Sequence, residues 1–360
     1  MANLGESGIA PRVTLRDVAR VAAVHVSTVS LALRDSPLLR ASTRLRVQGI
    51  ARELGYTRDS NLDALVAYRD QLRRMRNPTV IGYITNWDAP IEQVPHHRGY
   101  LAGAVAKARE IGFRIEHFSL CRDGISPQRL NQILVARGIR AIILSSFYRR
   151  IQRLELDWSR FSAVRIESQP EWPSLPTVSV NHLQVIKEIV GRVYALGYRR
   201  PGFMLGEDWS SLVDHEWEMG FSWAQRVLPE QCRIPPFFFL NMPCGSRRRY
   251  RFREWFERYR PDVLLAPHWA VEERRADFDL KVPRDVAVAD PFLEVRHPSY
   301  AGMVCNLAAV GANAVTTVAG LFLANQRGIP DIPVRCYVHS FWSEGASCPE
   351  RLSLRRETGD

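Results

Sequence analysis

The feature that most limits the fold of this chain is a regular alternation of apolar runs and helical segments from Thr79 onward. Continuous β-branched runs such as TVIGYIT, RAIILSS and FSAVRIE are separated by segments with helical spacing, such as AGAVAKAREIG and SPQRLNQILVARG. Strands that are apolar on both faces and joined through helices form parallel sheets that are covered on both sides. The alternation starts again after TVSVN. The sequence therefore predicts an α/β domain over residues 79–360, made of two doubly wound parallel-sheet subdomains with a seam near 177–182 and later crossovers near 291–306 and 328–334.

Positive charge is concentrated in the first fifth of the chain. The 360 residues carry a net charge of +11, and the pI is about 9.7. Residues 1–76 hold 13 Lys and Arg against 7 Asp and Glu, whereas the remaining 284 residues hold 36 against 31. A basic excess confined to one module is typical of nucleic-acid binding, whereas an evenly basic chain is only well solvated. The charge distribution therefore favours a polyanionic partner for the N-terminal module.

Cysteines and signal motifs favour a reduced, cytoplasmic protein. The six cysteines form no CxxC pair and have no His at ligand spacing, which predicts free thiols and no metal site. No apolar segment resembling a secretion signal follows the N-terminal Met. Residues 299–326 are uncharged, but their Asn, Thr and Gly content favours a buried helix over a membrane span. The glycine patterns of dinucleotide and P-loop sites are absent from the sequence, so we expect no cofactor and no catalytic residues.

Three short helices are predicted between residues 14 and 55. Thr14 and Asp17 have the spacing of a capping box at the start of the first helix. The second helix is expected over Val26–Arg34 and the third over Ser42–Leu54. The apolar residues expected to face inward are Leu15, Val18, Ala19 and Ala22 of the first helix, Val29, Ala32 and Leu33 of the second, and Leu45, Val47, Ile50 and Leu54 of the third.

The first two helices are joined by a very short connection with small side chains. Ala19, Ala22, Ala23 and Val24 allow two helices to cross at a steep angle around a tight turn. The second helix then presents short side chains outward, so its backbone can approach the floor of a DNA major groove. Hydroxyl groups reach phosphates or base edges, and Val or Leu side chains contact thymine methyl groups. The residues leave open an alternative, a three-helix interaction module whose hydroxyls are only solvated.

The segment from Val13 to Tyr56 resembles the headpiece of the LacI/GalR family of transcriptional regulators, with VTLRDVARVAAVHVSTVSLALRDSP, STRLRV and ARELGY in register. The resemblance implies a helix-turn-helix domain over residues 1–56 whose second helix contacts bases. It also shows departures from the family, because Leu31 stands where many members have Arg, and His25 and Ala23 replace the usual Ser and Gly. The DNA-binding residues expected here are Thr14, Arg16, His25, Val26, Ser27, Thr28, Ser30, Leu31, Arg34, Arg44 and Tyr56.

The same resemblance implies a hinge helix and a basic linker over residues 57–78. In the family this short helix orders on DNA, and a leucine wedges between base pairs of the minor groove; Leu65 stands at that position. Such a short helix without a core is not stable alone, so its folding would be coupled to DNA binding. The basic run at Arg69, Arg73, Arg74 and Arg76 is either a solvated linker or an additional set of phosphate contacts.

Ligands of doubly wound sheets bind at the carboxyl ends of the strands, here in the cleft between the two subdomains. Trp rings and carboxylates at these ends would suit a carbohydrate, although core packing is the alternative for any single Trp. The resemblance implies a rebuilt pocket, because Glu167 stands where members often have Asp, Trp217 where they have Arg, and His268 where they have Asp. The effector-binding residues expected at the strand ends are Trp87, Ser145, Phe147, Glu167, Asp208, Trp209, Trp217, His268 and Asp290.

These features together predict a cytoplasmic, homodimeric, sequence-specific transcriptional regulator, of the repressor type, on a pseudo-palindromic operator. A small effector, a sugar or related metabolite, would bind in the cleft and control it. One alternative is a solute-binding protein, which would carry a secretion signal and lack phosphate-facing arginines. The other is a sugar-processing enzyme, which would need paired carboxylates at a fixed separation.

Overall fold

The computed structural model describes residues 13–36, 38–56, 78–87, 89–145, 147, 153–239, 246–272 and 280–351. The expected hinge, with Leu65 and the linker arginines, lies outside the described residues.

The N-terminal module consists of three helices, α1 (Leu15–Val21), α2 (Val26–Leu33) and α3 (Ala41–Glu53). Each of the predicted bounds of α2 and α3 is met to within one residue. The residues buried between the helices are Val18, Ala19, Ala22, Val29, Ala32, Val47 and Ala51. Four of these seven are alanines, which lets the three helix backbones approach closely.

Leu45 does not belong to this core, contrary to the prediction. Its side chain is 65% exposed, whereas Val47 is fully buried. Two residues correspond to about 200° around an α-helix, so Leu45 and Val47 cannot lie on the same face. Ala51, one turn after Val47, takes the inward position instead.

Two six-stranded sheets make up most of the remaining described chain. The strands of the first sheet are β1 (Thr79–Thr85), β2 (Phe113–Ser119), β3 (Ala141–Leu144), β4 (Ser162–Ile166), β5 (Thr177–Val180) and β11 (Arg335–Val338). Those of the second are β6 (Pro201–Gly206), β7 (Phe237–Phe239), β8 (Val263–Leu265), β9 (Ala287–Leu293), β10 (Ala301–Val304) and β12 (Phe341–Ser343). The strand orders are β11-β5-β4-β3-β1-β2 and β12-β10-β9-β8-β6-β7. All pairs are parallel except β10 with β12.

Helices cover these sheets, and each sheet with its helices is called a lobe below. The first lobe holds α4 (Pro95–Glu110), α5 (Pro127–Ala136) and α11 (Leu307–Leu323). The second lobe holds α6 (His182–Ala195), α7 (Glu207–Leu212), α8 (Glu216–Gln225), α9 (Ser246–Tyr259) and α10 (His268–Glu272). The predicted α/β class with two largely parallel sheets is confirmed.

The described chain passes between the lobes at residues 180–182, 304–307 and 338–341. The third passage lies later than the expected range of 328–334. The reason is that β11 pairs in parallel with β5, with Arg335 opposite Thr177, so the chain is still in the first lobe at Val338.

The run IQRLELDW over residues 151–158 predicts a short helix from sequence, but no α-helix is found in its described part. Residues 154–157 are irregular, and only Trp158–Arg160 forms a single 3-10 turn. The backbone N–H of Leu154 donates to the carbonyl of Trp172, and Arg153 forms a β-bridge with Trp172. Pairing with this neighbouring segment replaces the hydrogen bonds that a helix would need.

Glycines allow α4 and α11 to pack against each other at very short distance. A Cβ atom on Gly103 would lie 1.8 Å from the carbonyl oxygen of Ala308, and one on Gly311 would lie 1.9 Å from that of Tyr100. The helix α11 comes from the uncharged stretch over 299–326 and is buried along one face. Among the described helices, none combines the length and the hydropathy that crossing a membrane requires.

Candidate functional site

The helix α2 begins at a histidine that caps it. His25 has extended backbone angles, and its Nδ1 accepts a hydrogen bond from the backbone N–H of Ser27 at 3.3 Å. The Ser27 hydroxyl lies 2.8 Å from the same nitrogen. A ring nitrogen accepts only when it carries no proton, so the capping form of His25 is neutral and has its N–H at Nε2. That N–H, on the far side of the ring, remains a donor at the start of the helix.

The helix α2 has one buried face and one accessible face of short side chains. Val29 and Ala32 are fully buried against α1 and α3. On the accessible face Ser27 is exposed and Thr28, Ser30 and Leu31 are half-buried, while the half-buried Val26 also packs against the module's core. No long side chain separates this face of the helix from a partner surface.

The turn before α2 is tight and held by backbone and side-chain contacts. Ala23 adopts a φ of 50°, in the left-handed region. The Arg46 side chain donates from α3 to the carbonyl of Ala22 at 2.8 Å. At the other end of α1, Thr14 and Asp17 form the predicted capping box, with the Thr14 N–H donating to Asp17 at 2.9 Å. The Arg46 contact thus holds the turn between α1 and α2, and the capping box fixes the start of α1.

The basic residues of the module differ in their availability to DNA. Arg16 and Arg34 are exposed. Arg44 instead forms an ion pair with Asp35 at 2.6 Å and donates to the carbonyl of Ser36 at 3.2 Å. This residue therefore braces the connection between α2 and α3, a role that the sequence did not indicate. Tyr56 is half-buried against the module's own core.

In the cleft between the lobes, Glu167 and Trp217 are joined through a histidine. Glu167 is 3% exposed and has a φ of 61°. It accepts hydrogen bonds from the Tyr100 hydroxyl at 2.8 Å and from the backbone N–H of Val180 at 3.4 Å, and it lies 2.9 Å from His182 Nε2. The Trp217 indole N–H donates to His182 Nδ1 at 2.8 Å. Since an indole N–H can only donate, Nδ1 accepts, and Nε2 carries the proton that reaches Glu167.

The charge state of Glu167 follows from these contacts. Burial alone would raise its pKa, but His182, the Tyr100 hydroxyl and the Val180 N–H hold the pKa below its usual value. Glu167 is thus an ionised carboxylate whose two oxygens are both engaged by the protein. His182 is a residue that the sequence analysis missed, although its place directly after β5 at the seam was a usable signal.

A second buried carboxylate, Asp290 on β9, is engaged in a similar way. It accepts hydrogen bonds from the backbone N–H groups of His268 at 2.7 Å and Phe292 at 2.6 Å, and it lies 2.5 Å from His268 Nδ1. The hydrogen bond to Asp290 raises the pKa of His268, against the opposing effect of partial burial. The pair fixes the start of α10 against β9.

Aromatic rings from both lobes meet between these two carboxylates. His96 and Trp87 of the first lobe have ring centroids 5.1 Å apart. The His96 ring lies 5.2 Å from that of Trp209 and 6.4 Å from that of Phe292, both in the second lobe. Trp269 extends the cluster from Trp209 at 5.7 Å. His96 and His97 lie in the first turn of α4, and their part in this cluster was not predicted.

The other expected effector residues do not belong to the ring cluster or to the two engaged carboxylates. Ser145 is buried and accepts a hydrogen bond from Tyr83 at 2.7 Å. Phe147 is fully buried in an apolar cluster with Leu144 and Trp158, apart from the rings of the cleft. Asp208 lies in α7, and its side chain is outside the described part of the chain.

Among the described residues, two ion pairs connect the lobes at the sides of the cleft. Arg335 on β11 donates to Glu216 on α8 at 2.6 Å and to the Ser168 hydroxyl at 3.0 Å. Arg98 on α4 lies 3.9 Å from Glu294, which follows β9. Among the described residues, no group of His, Cys, Asp and Glu has the arrangement of a metal site.

Comparisons with known proteins agree with this architecture. Residues 14–59 match the family model described as bacterial regulatory proteins, lacI family. A search of curated proteins gives no match. Among solved structures, the chain is similar to a complex of the transcriptional regulator CelR with cellobiose (19% identity, TM-score 0.57, covering 93% of this chain and 100% of that one). It is also similar to a transcription regulator-like protein from Staphylococcus haemolyticus (15% identity, TM-score 0.56, covering 75% and 98%).

A third similar structure is the lac repressor dimer bound to operator and the anti-inducer ONPF (15% identity, TM-score 0.53, covering 94% of this chain and 99% of that one). At these identities the structures establish a shared fold, and the family model establishes the nature of the N-terminal module. The N-terminal module thus matches the lacI family of bacterial regulatory proteins over residues 14–59, and the two-lobed fold is shared with solved transcriptional regulators.

Proposed function

We propose that this regulator is a cytoplasmic repressor that binds a pseudo-palindromic operator as a homodimer, under the control of a small effector in the cleft. The observation that carries the DNA-binding part is the accessible face of α2, on which Ser27, Thr28 and Ser30 present hydroxyl groups within a rigid three-helix frame. Short side chains on a braced helix are suited to direct contact with base edges in a major groove.

Contacts to the DNA backbone supply most of the affinity in such a complex. The exposed Arg16 and Arg34, together with the Nε2–H of His25, are suited to phosphates at the borders of the groove. Leu65 in the hinge remains, by resemblance, the residue that wedges into the minor groove. The similar lac repressor, solved as a dimer bound to operator, supports operator binding by two chains.

Control by an effector follows from the connection between the two lobes. The chain enters the first lobe at β1 directly after the linker, so a change in the relation of the lobes can be passed to the DNA-binding module. Ligand binding that favours one arrangement of the lobes changes operator affinity by a coupling free energy, typically about 1–3 kcal/mol. The complex of the similar CelR with cellobiose supports control by a small effector. A sugar or related metabolite is the effector expected from sequence.

A selection from a random duplex library with the full-length chain tests this function. We expect enrichment of one sequence with two symmetric half-sites, and a complex that contains two chains in sedimentation analysis. A protein that enriches no sequence at low salt, with or without a metabolite extract, would contradict the proposed function. Substituting Leu65→Ala should weaken binding to the selected operator and leave the fold of the lobes intact, and equal operator affinity would reject the wedge role.

A further inference from the structure

Two of the three carboxylates predicted to bind a carbohydrate, Glu167 and Asp290, are already used by the protein. Both oxygens of Glu167 and both oxygens of Asp290 accept hydrogen bonds from protein groups at 3.4 Å or less. Glu167 is 3% exposed, and Asp290 is fully buried. A sugar hydroxyl could pair with either carboxylate only after a buried hydrogen bond is broken, which costs about 1–3 kcal/mol for each group left unsatisfied.

What the cleft offers instead is ring surface from both walls. Trp87 faces it from the first lobe, and Trp209 and Phe292 face it from the second. Trp87 and Trp209 are only half-buried, so part of each indole remains accessible. Aromatic rings attract other planar rings through offset stacking and edge-to-face contacts at centroid distances of about 4.5–7 Å.

The ring of His96 occupies the centre of this surface. Its centroid lies 5.1 Å from Trp87, 5.2 Å from Trp209 and 6.4 Å from Phe292. Burial lowers the pKa of His96 to about 4, so the ring is neutral at neutral pH. His96 therefore behaves here as a flat, uncharged ring that connects the two lobes.

We propose that the ligand of the cleft is a neutral, planar aromatic or heteroaromatic molecule. This inference rests on the proposed function only in taking the cleft as the effector site. This molecule takes the position of His96 among Trp87, Trp209 and Phe292, while the His96 side chain turns away. A charged ligand is disfavoured because the nearby ionised groups are already engaged, Glu167 by hydrogen bonds from His182 and Tyr100, and Arg98 by Glu294. When the ligand takes the place of the His96 ring, the contacts of His96 with Trp209 and Phe292, which connect the two lobes, are lost.

Binding of indole to the full-length protein tests this inference by calorimetry and thermal shift. Substituting His96→Ala leaves a ring-sized space in the cluster, and apolar cavities of this kind bind flat apolar ligands. We expect this variant to bind indole at least about tenfold more tightly than wild type, because no side chain competes for the space. His96→Phe keeps the space filled and should bind indole no better than wild type.

Two tryptophan variants in the His96→Ala background test whether indole binds among the rings of the cleft. Trp209→Ala should weaken indole binding, since it removes one wall of the site. Trp223→Ala is the matched control, because Trp223 is 49% exposed on α8, where its ring lies 4.1 Å from Lys187 Nζ. This control should leave indole binding unchanged.

Stabilisation of the wild type by glucose or cellobiose, with no indole binding by His96→Ala, would overturn the inference. An indole affinity that is unchanged by Trp209→Ala would overturn the inference as well. Operator selection with the same samples keeps the two claims apart. A protein with an operator and no indole site refutes only the ring site, whereas a protein without an operator refutes the proposed function.

Discussion

Ala23 adopts a backbone conformation that alanine disfavours. Its φ of 50° lies in the left-handed region, which costs a residue with a Cβ atom about 1–2 kcal/mol. Ala22, immediately before it, has a φ of −77° and is fully buried. The tight α1–α2 turn therefore contains one strained alanine next to one that is well placed.

We expect Ala23→Gly to stabilise the DNA-binding module by roughly 0.5–1 kcal/mol, because the strain relieved exceeds the added chain entropy. The matched change Ala22→Gly should destabilise the module, since it removes a buried methyl group from the end of α1. Amide hydrogen exchange of α1 and α2 in the full-length chain measures both effects locally. Slower exchange in Ala22→Gly than in Ala23→Gly would contradict the assigned backbone strain.

His96 gives the cleft a dependence on pH whose sign can be stated. Its pKa is about 4 in the folded protein, against 6.5 for an ordinary histidine. Between these values the unfolded chain binds more protons at this residue than the native protein does. The contribution of His96 to the free energy of unfolding is therefore fully present above pH 6.5 and is lost as the pH falls toward 4. This group alone lowers the free energy of unfolding by up to about 1.4 kcal/mol for each pH unit in that window.

The variant His96→Phe should lose this part of the pH dependence and keep the ring packing. His339→Phe is the control, since His339 is exposed and outside the cluster. Urea unfolding followed at several pH values between 7 and 4 measures the difference. The prediction fails if wild type and His96→Phe show the same pH slope.

At this scale the sequence indicated some site residues and could not indicate others. Trp209 and Glu167 follow apolar strands, so their position at a strand end could be predicted from local pattern, whereas Asp290 lies within β9 rather than at its end. The use of Glu167 by His182 and Tyr100 could not, because these partners lie 15 and 67 residues away in sequence. Local spacing carries no information on such distant pairs.

At the scale of elements, strand and helix positions were well predicted, and their assignment to lobes was less so. β-branched runs and helix stop signals are local properties, and they indicated β1, β3, β4 and α4 correctly. The place of β11 in the first sheet depends on its pairing with β5, from which it is separated by 335 − 177 = 158 residues. The exposure of Leu45 depends on which side of α3 meets α1 and α2, which also is not a local property.

The contact between α4 and α11 gives a prediction at the scale of elements. Gly311→Ala places a Cβ against the carbonyl of Tyr100, so α4 and α11 must separate, and we expect a loss of about 1–3 kcal/mol or more. Gly320→Ala on the same helix meets nothing within 4 Å, and we expect a gain of about 0.5–1 kcal/mol from helix propensity. Equilibrium unfolding of the two variants measures this contrast. Equal stabilities would contradict the close packing of the two helices.

At the scale of the whole molecule, net positive charge and paired charges lie in different parts of the chain. The basic excess lies in the N-terminal module and linker, and the paired carboxylates and rings lie in the lobes. Binding to DNA should therefore weaken steeply with salt, through contacts of the N-terminal arginines with phosphates.

We expect Arg34→Ala to lower the slope of log affinity against log salt by about 1, without changing the preferred sequence. Arg253→Ala is the control, because Arg253 is exposed on α9 in the second lobe, where it pairs with Glu257 at 2.9 Å. Fluorescence anisotropy with the selected operator over a range of salt concentrations provides the slopes. An unchanged slope in Arg34→Ala would show that this residue does not contact a phosphate.

The account depends most on the claim that the accessible face of α2 reads the edges of bases. The most direct measurement is a second selection from the random duplex library with the double variant Val26→Ser and Ser27→Val. We expect an operator of unchanged spacing whose preferred bases differ at the same symmetric positions in both half-sites, since hydroxyl and methyl contacts have been exchanged. An identical preferred sequence for wild type and variant, at similar affinity, would contradict the claim.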